Sequence, residues 1–222
     1  MLLRGIGSTA VLAGAILVSA CSASVTPAQV GPARDGLQNS RSQIAAETPD
    51  LPNLLKDGSF ETPLVPVGGF TVFNVGSTFS KWTVTGPGGD VGIVSGTFTQ
   101  NGFSFPAGCG NQFIDLTGIE TLGNGVQQTI TTVMGSQHAL SFSVGNVVDP
   151  NGIFGTTSTV KVYVNDVHVF SAKNKKGAGG TVQVWKAFTT TITAPSTRTT
   201  IRFSNGDPPG DDNNGLDCIK LN

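Results

Sequence analysis

The chain has 222 residues, of which only 12% are charged, and its 13 Lys and Arg against 14 Asp and Glu leave a net charge of −1. That balance excludes nucleic acid as a partner, because neutralising phosphates needs a basic excess. Gly is abundant at 30 residues and Thr, Ser and Val run throughout; Thr and Val suit strands and Gly punctuates turns, so the composition is that of an all-β protein.

Taken in chain order, residues 1–21 stand apart from the rest. Arg4 is the only charge before Arg34, and an apolar run follows from Val11 to Val18. The run is too short to cross a bilayer and reads as an export signal. Val18-Ser19-Ala20-Cys21 resembles the lipobox of bacterial lipoproteins. The resemblance implies cleavage before Cys21, attachment of acyl chains such as palmitate to it, and anchoring in the bacterial cell envelope through that lipid. Ser22 resembles a signal for outer-membrane sorting. An ordinary secretory signal with an unrelated cysteine is the alternative. Residues 22–50 are rich in Ala, Ser, Gln and Pro and hold no aromatic residue. Such a stretch buries too little to order itself and reads as a tether. A flexible chain of that length spans on the order of 30 Å, with a weak helical pattern over Leu37–Ala46.

Residues 51–222 fit one domain long enough for a core. Strand-like runs recur at Phe70–Val75, Lys81–Thr85, Val91–Val94, Gln112–Leu116, Gly125–Val133, Ala139–Val147, Ser158–Asn165, Val167–Ser171, Thr181–Thr193, Thr199–Ser204 and Leu216–Leu221. Turn residues separate them, as in Pro87-Gly88-Gly89-Asp90 and Asp149-Pro150-Asn151-Gly152, a spacing that predicts a sandwich or barrel. One hairpin is readable in detail. Val160, Val162 and Val164 alternate with Lys161 and Tyr163, and Asn165-Asp166 suits a two-residue turn with positive φ. The register then pairs Val164 with Val167 and Val162 with Val169 on a core face, and sets Tyr163 opposite His168 on the other. In Thr181–Thr193, Val182, Val184, Phe188 and Ile192 share one parity, and Gln183, Trp185 and Thr189 the other.

With Cys21 assigned to the lipid, Cys109 and Cys218 remain as an even pair in an exported chain. A disulfide is expected; it would close a loop worth about 4–5 kcal/mol in the chain-entropy model. Two buried free thiols are the alternative. Signals for catalysis are missing. There is no Gly-x-Ser-x-Gly elbow and no His-Glu-x-x-His, and the only histidines are His138 and His168. Asp90, Asp115 and Asp149 would have to converge in space to act as a carboxylate pair. The stretch from Asn205 to Gly215 carries three carboxylates without the EF-hand spacing and reads as a solvated, turn-rich loop.

Several segments then align with one family. Asn53–Glu61 resembles its opening Asn-Leu-hydrophobic-x-(Asn/Asp)-Gly-x-Phe-Glu. Trp82, Ile114-Asp115-Leu116, Gly125-Val126-Gln127-Gln128, Leu140-Ser141-Phe142, Trp185-x-x-Phe188, Arg202-Phe203-Ser204-Asn205 and Leu216-Asp217-Cys218-Ile219 follow in the family's order. The domain resembles galactose-binding-like modules of the domain-of-unknown-function 642 type, over residues 53–221. The resemblance implies a jelly-roll β-sandwich whose opening and closing segments lie side by side. It also implies a structural calcium held by Glu61 and Asp217, with carbonyl oxygens near Gly58 and Cys218. Cys218 departs from the pattern, because it stands where the family often has a second acid. The competing reading is that Glu61 is a surface acid and Asp217 a strand cap.

The resemblance further implies carbohydrate binding. Sugars need aromatic platforms for ring faces and planar polar groups for hydroxyls. The candidates are Tyr163, His168, Trp82, Trp185, Asn146, Asn165 and Asp149, although both tryptophans also match structural positions of the family. The expectation is a surface-tethered, non-catalytic module that binds cell-wall polysaccharide. A structural or protein-interaction domain of the envelope is the second reading, and a hydrolase or esterase acting on wall polymers is the third.

Overall fold

A computed structural model of the chain describes residues 51–118, 123–152, 154–209 and 213–222. The export signal, Cys21 and the tether lie outside the described residues. The strands are β1 (Phe70–Asn74), β2 (Thr78–Phe79), β3 (Trp82–Thr85), β4 (Asp90–Ser95), β5 (Thr99–Gln100), β6 (Phe103–Ser104) and β7 (Gln112–Asp115). They continue as β8 (Gly125–Thr131), β9 (Gln137–Asn146), β10 (Ser158–Val164), β11 (Val167–Asn174), β12 (Val184–Thr193), β13 (Arg198–Asn205) and β14 (Gly215–Leu221). There is no helix among the described residues.

Two six-stranded sheets form, in the orders β1-β4-β7-β14-β9-β12 (sheet I) and β11-β10-β13-β8-β3-β2 (sheet II), and β5-β6 make a small third pair. The ladders within both six-stranded sheets are antiparallel. From β7 onward the chain passes between the sheets at nearly every connection, so each sheet is completed by strands far apart in sequence. The result is a jelly-roll β-sandwich.

Period-two alternation builds the core between the sheets. In β10 the valines at 160, 162 and 164 are buried while Lys161 and Tyr163 lean outward, and Thr199, Ile201 and Phe203 of β13 do the same against Arg198, Thr200 and Arg202. Phe60, Trp82, Phe142 and Phe203 fill the centre. Every residue of β4 is buried, which one core cannot explain. A second apolar cluster of Val94, Phe103, Phe105, Phe113, Val147 and Phe154 covers part of the other face of sheet I, with Trp185 packed against it. Val91 and Ile93 therefore face one core and Val94 the other. The two parities expected in 181–193 have the same origin. Phe188 and Ile192 point to the main core, Trp185 sits edge-on to Phe113, and Gln183 is buried.

The hairpin expectation holds at its turn and fails one residue later. Asn165 and Asp166 both have positive φ, at 44° and 65°, and Val164 pairs with Val167 and Tyr163 with His168. A bulge then sets Val162 opposite Phe170 instead of Val169. Val167 and Val169 are 65% and 44% exposed, and Phe170 and Ala172 take the core positions. A bulge inserts one residue and shifts the strand's facing, and alternation alone does not reveal it.

The two ends of the body meet, as the family resemblance implies. The opening segment is not a strand but a set of bends. It is stitched to β14 by side chain and backbone alike. Asn53 Nδ2 donates to Ile219 O at 2.8 Å, Leu221 N donates to Asn53 Oδ1 at 2.9 Å, Leu54 N donates to Leu221 O at 2.9 Å and Ile219 N donates to Gly58 O at 2.8 Å. Gly58 must lack a side chain here, since a Cβ would lie 2.1 Å from Ile219 O. The stretch before β14 differs from the solvated loop expected. Asn205, Asn213 and Asn214 are buried, and Asn214 Nδ2 donates to Thr159 O, Asn205 Oδ1 and Asp207 Oδ2.

Candidate functional site

Glu61 and Asp217 flank one loop, residues 108–112, and bind it from two sides. Asp217 Oδ2 accepts from Gly108 N at 2.9 Å and Cys109 N at 2.8 Å, and its Oδ1 accepts from Cys218 N at 2.7 Å. Glu61 Oε1 accepts from Asn111 N at 2.8 Å and Gln112 N at 3.1 Å, and its Oε2 accepts from Asn111 Nδ2 at 3.4 Å. The Cys109–Cys218 disulfide, with Cα atoms 5.5 Å apart, ties the same loop to β14. Burial pushes the Asp217 carboxyl up from 3.8 to about 7, with the charge of Glu61 adding to the push, against three backbone N–H donors that favour the anion.

This arrangement does not suit the calcium expected at Glu61 and Asp217. Calcium takes six to eight oxygens. Here every carboxylate oxygen faces an N–H donor, whose positive end opposes a cation. Among the described residues no three His, Cys, Asp or Glu side chains gather as metal ligands. The two acids act instead as clamps on backbone amides, closer to the competing reading of a surface acid and a strand cap.

Of the expected sugar-binding residues, Trp82, Asn146 and Asp149 are buried and offer nothing to a ligand. Trp82 packs on Phe60 and Phe203 and donates Nε1–H to Asp57 O. Asn146 donates to Ser158 Oγ and accepts from Gly177 N. Asp149 accepts from Asn151 N and holds a turn. Trp185 donates to Pro106 O and closes the second cluster. These residues read as ligands because their side chains have the right chemistry; burial assigns them to structure.

Tyr163 and His168 do reach the surface, on the outer face of sheet II, with ring centroids 5.3 Å apart. The Arg202 guanidinium lies 3.9 Å over the Tyr163 ring. Strand pairing extends this contact into a row across the whole sheet: His168 beside Tyr163, then Arg202, Gln127, Thr83 and Thr78. Six strands at about 4.8 Å give a row of about 24 Å. Along one side of it runs an open groove of about 430 Å³ lined by Gln127, Thr129, Asn165, Asp166, Arg198 and Thr200. The Thr129 and Thr200 hydroxyls in its lining share a hydrogen bond of 2.8 Å, and Asn165 Oδ1 accepts from Thr200 N. Arg202 Nη2 also reaches Asp166 Oδ1 at 3.3 Å, an exposed pair.

Arg198, Thr200, Arg202 and Gln127 are the residues sequence reasoning missed. A signal was present in the alternation of Arg198, Thr200 and Arg202 with buried Thr199, Ile201 and Phe203, which puts the polar set on one face.

Fold and surface together define a jelly-roll module with a polar, partly aromatic sheet face. The chain belongs to the family described as "Protein of unknown function (DUF642)", whose model matches residues 53–217. No curated protein matches it. Among solved structures it is similar to TmCBM61 in complex with beta-1,4-galactotriose, at 16% identity and a TM-score of 0.41, covering 77% of this chain and 98% of that one. It is also similar to CBM35 from Paenibacillus barcinonensis, at 15% identity and a TM-score of 0.40, covering 68% of this chain and 98% of that one. A family 35 carbohydrate binding module from Clostridium thermocellum matches at 12% identity and a TM-score of 0.39, covering 69% of this chain and 97% of that one.

Proposed function

We propose that this protein is a non-catalytic module that binds carbohydrate chains on the outer face of sheet II. The observation that carries this reading is the row from His168 through Tyr163, Arg202 and Gln127 to the threonines of β3 and β2. A sugar ring has an apolar face and an equatorial girdle of hydroxyls. The exposed His168 ring, beside a Tyr163 ring that Arg202 covers on one face, offers surface for the first. Gln127, Asn165, Arg202 and the threonine hydroxyls supply donors and acceptors for the second. The face is open, so it suits the flank of a long chain, and affinity is modest because few ligand atoms are buried.

In the same proposal the module is exported and held in the bacterial cell envelope by lipid on Cys21, where cell-wall polysaccharide is the polymer within reach. The support is Val18-Ser19-Ala20-Cys21 and the short apolar run before it. Several acyl chains on one cysteine hold far more firmly than one. Labelling with radioactive palmitate tests this, and label retained by a Cys21→Ala variant refutes it.

The test of binding is affinity electrophoresis of the full chain in detergent against a panel of wall polysaccharides. Retardation by at least one polymer, lost in a Tyr163→Ala, His168→Ala double variant, is the expected result. No retardation by any polymer, or wild-type retardation of the double variant, overturns the reading.

One observation favours the second reading, a protein-interaction domain. Leu64 and Val67 are 81% and 89% exposed beside a groove of about 560 Å³ whose walls include Val65, Pro106 and Ala107. Exposed apolar patches of this kind mark contact surfaces. Crosslinking in envelope extracts that disappears in a Leu64→Asp, Val67→Asp variant would favour it.

A further inference from the structure

We propose that the carbohydrate this face takes is acidic, a glycan bearing carboxylates as uronic acids do. The inference rests on the carbohydrate reading above and adds the class of sugar.

Acidic residues are missing from the strands of one sheet. The six strands of sheet II contain no Asp or Glu, and they carry Lys161, Lys173, Arg198 and Arg202. Alternation with buried neighbours turns all four to the outer face. The strand carboxylates, Asp90, Asp115 and Asp217, are all in sheet I. A chain with a net charge of −1 thus presents one cationic sheet face. Among the described residues the acids at its border are Asp166, in the β10–β11 turn with its side chain 87% exposed, and Asp207, just past β13 and bonded to Asn214. An exposed pair such as Asp166 with Arg202 is worth little and yields readily to a better partner.

The cations also stand where a chain along the row would meet them. Arg202 is within the row. Arg198 is four residues along the same face of β13, about 14 Å away, at the far side of the groove. Lys161 is two residues from Tyr163 on β10, on the opposite flank, its stem packed against the position of Gly206. The Arg202 guanidinium lies 3.9 Å over the Tyr163 ring, and its Nη2 is held by Asp166, whose side chain is open to solvent and can be displaced. A planar fork of N–H donors matches a carboxylate with two parallel hydrogen bonds, which an ammonium does not. Neutral sugar hydroxyls use a single amide or hydroxyl as well as they use an arginine, so a face built for neutral sugar has no need of four cations on strands that carry no acid.

The experiment is affinity electrophoresis and calorimetry on the full chain in detergent, with polygalacturonate, its methyl ester, dextran sulfate and neutral dextran as probes. Polygalacturonate should bind at least roughly tenfold more tightly than its methyl ester at low salt, the scale of one charge-assisted contact. The preference should shrink as salt rises, because exposed charges are screened. An Arg198→Gln, Arg202→Gln variant, with thermal unfolding unchanged, should bind acid and ester alike. Equal binding of acid and ester by the wild type, or an unaltered preference in the variant, overturns the inference while leaving carbohydrate binding intact. Dextran sulfate binding as tightly as polygalacturonate also overturns it, in favour of general polyanion attraction. No binding to any of the four probes or to the wider polymer panel sinks the carbohydrate reading itself.

Discussion

Raising the pH from about 4 to about 7 should weaken the folded state through one side chain, Asp217. Its carboxyl is buried between β14 and the 108–112 loop, and burial lifts it from 3.8 to about 7. The folded state therefore holds a proton that the unfolded chain releases over this interval. Stability falls wherever the folded state binds more protons than the unfolded one. The contribution is fully present below 3.8 and is lost as pH rises through about 7. Each tenfold difference in proton affinity between the two states is worth about 1.4 kcal/mol, so the loss is about 4 kcal/mol. Urea denaturation of wild type and Asp217→Asn across pH 4 to 8 measures it, since titrating groups other than the coupled Glu61 cancel in the difference. Asparagine cannot ionise, so its curve lacks this slope. It also turns an amide N–H toward donors that converge on the site, and one unpaired buried N–H costs about 1–3 kcal/mol. The variant should thus be weaker at pH 4 and overtake or match the wild type by pH 8. Parallel curves would refute the argument, because they would mean that Asp217 keeps its solution acidity inside the fold.

Removing the Cys109–Cys218 bridge releases a loop of 109 residues, which the chain-entropy model values at about 5 kcal/mol. A Cys109→Ala, Cys218→Ala variant measured by urea unfolding should approach that loss, and a change below about 1 kcal/mol would show that the unfolded chain is not what the bridge restrains. Chelation of calcium is predicted to leave the melting temperature unchanged, because the Glu61 and Asp217 oxygens are turned to amide donors. A rise in melting temperature on adding calcium, the signature of a ligand that binds only the folded state, would show that those carboxylates release the loop to take the ion.

Much of the fold was legible from the sequence because strands leave a period-two trace and turns leave Gly, Pro, Asn and Asp. All strands of four or more residues coincide with apolar or alternating runs in the sequence, and β2, β5 and β6, each of two residues, are too short to show a period. The bulge after His168 escaped for a related reason: one inserted residue leaves the composition of β11 unaltered. The second apolar cluster escaped because Phe103, Phe105 and Phe154 lie in loops or short strands, where no pattern announces burial. The candidate site was half legible. Tyr163 and His168 followed from hairpin register, a local inference. Arg202 and Gln127 came from strands β13 and β8, and only the order of sheet II says that these strands neighbour β10. Trp82, Asn146 and Asp149 illustrate the opposite error, in which suitable functional groups are consumed by the interior.

The stitching of Asn53 and Leu54 to β14 has a mechanical consequence. Any pull that reaches the body through the residues preceding Asn53 is passed at once to Ile219 and Leu221. Strand β14 sits between β7 and β9 in the middle of its sheet and is joined covalently to the neighbouring loop at Cys218. Traction applied there would therefore be shared by ladders on both sides rather than peeling an outermost strand, and the opposite sheet, with its polar row, lies off that path.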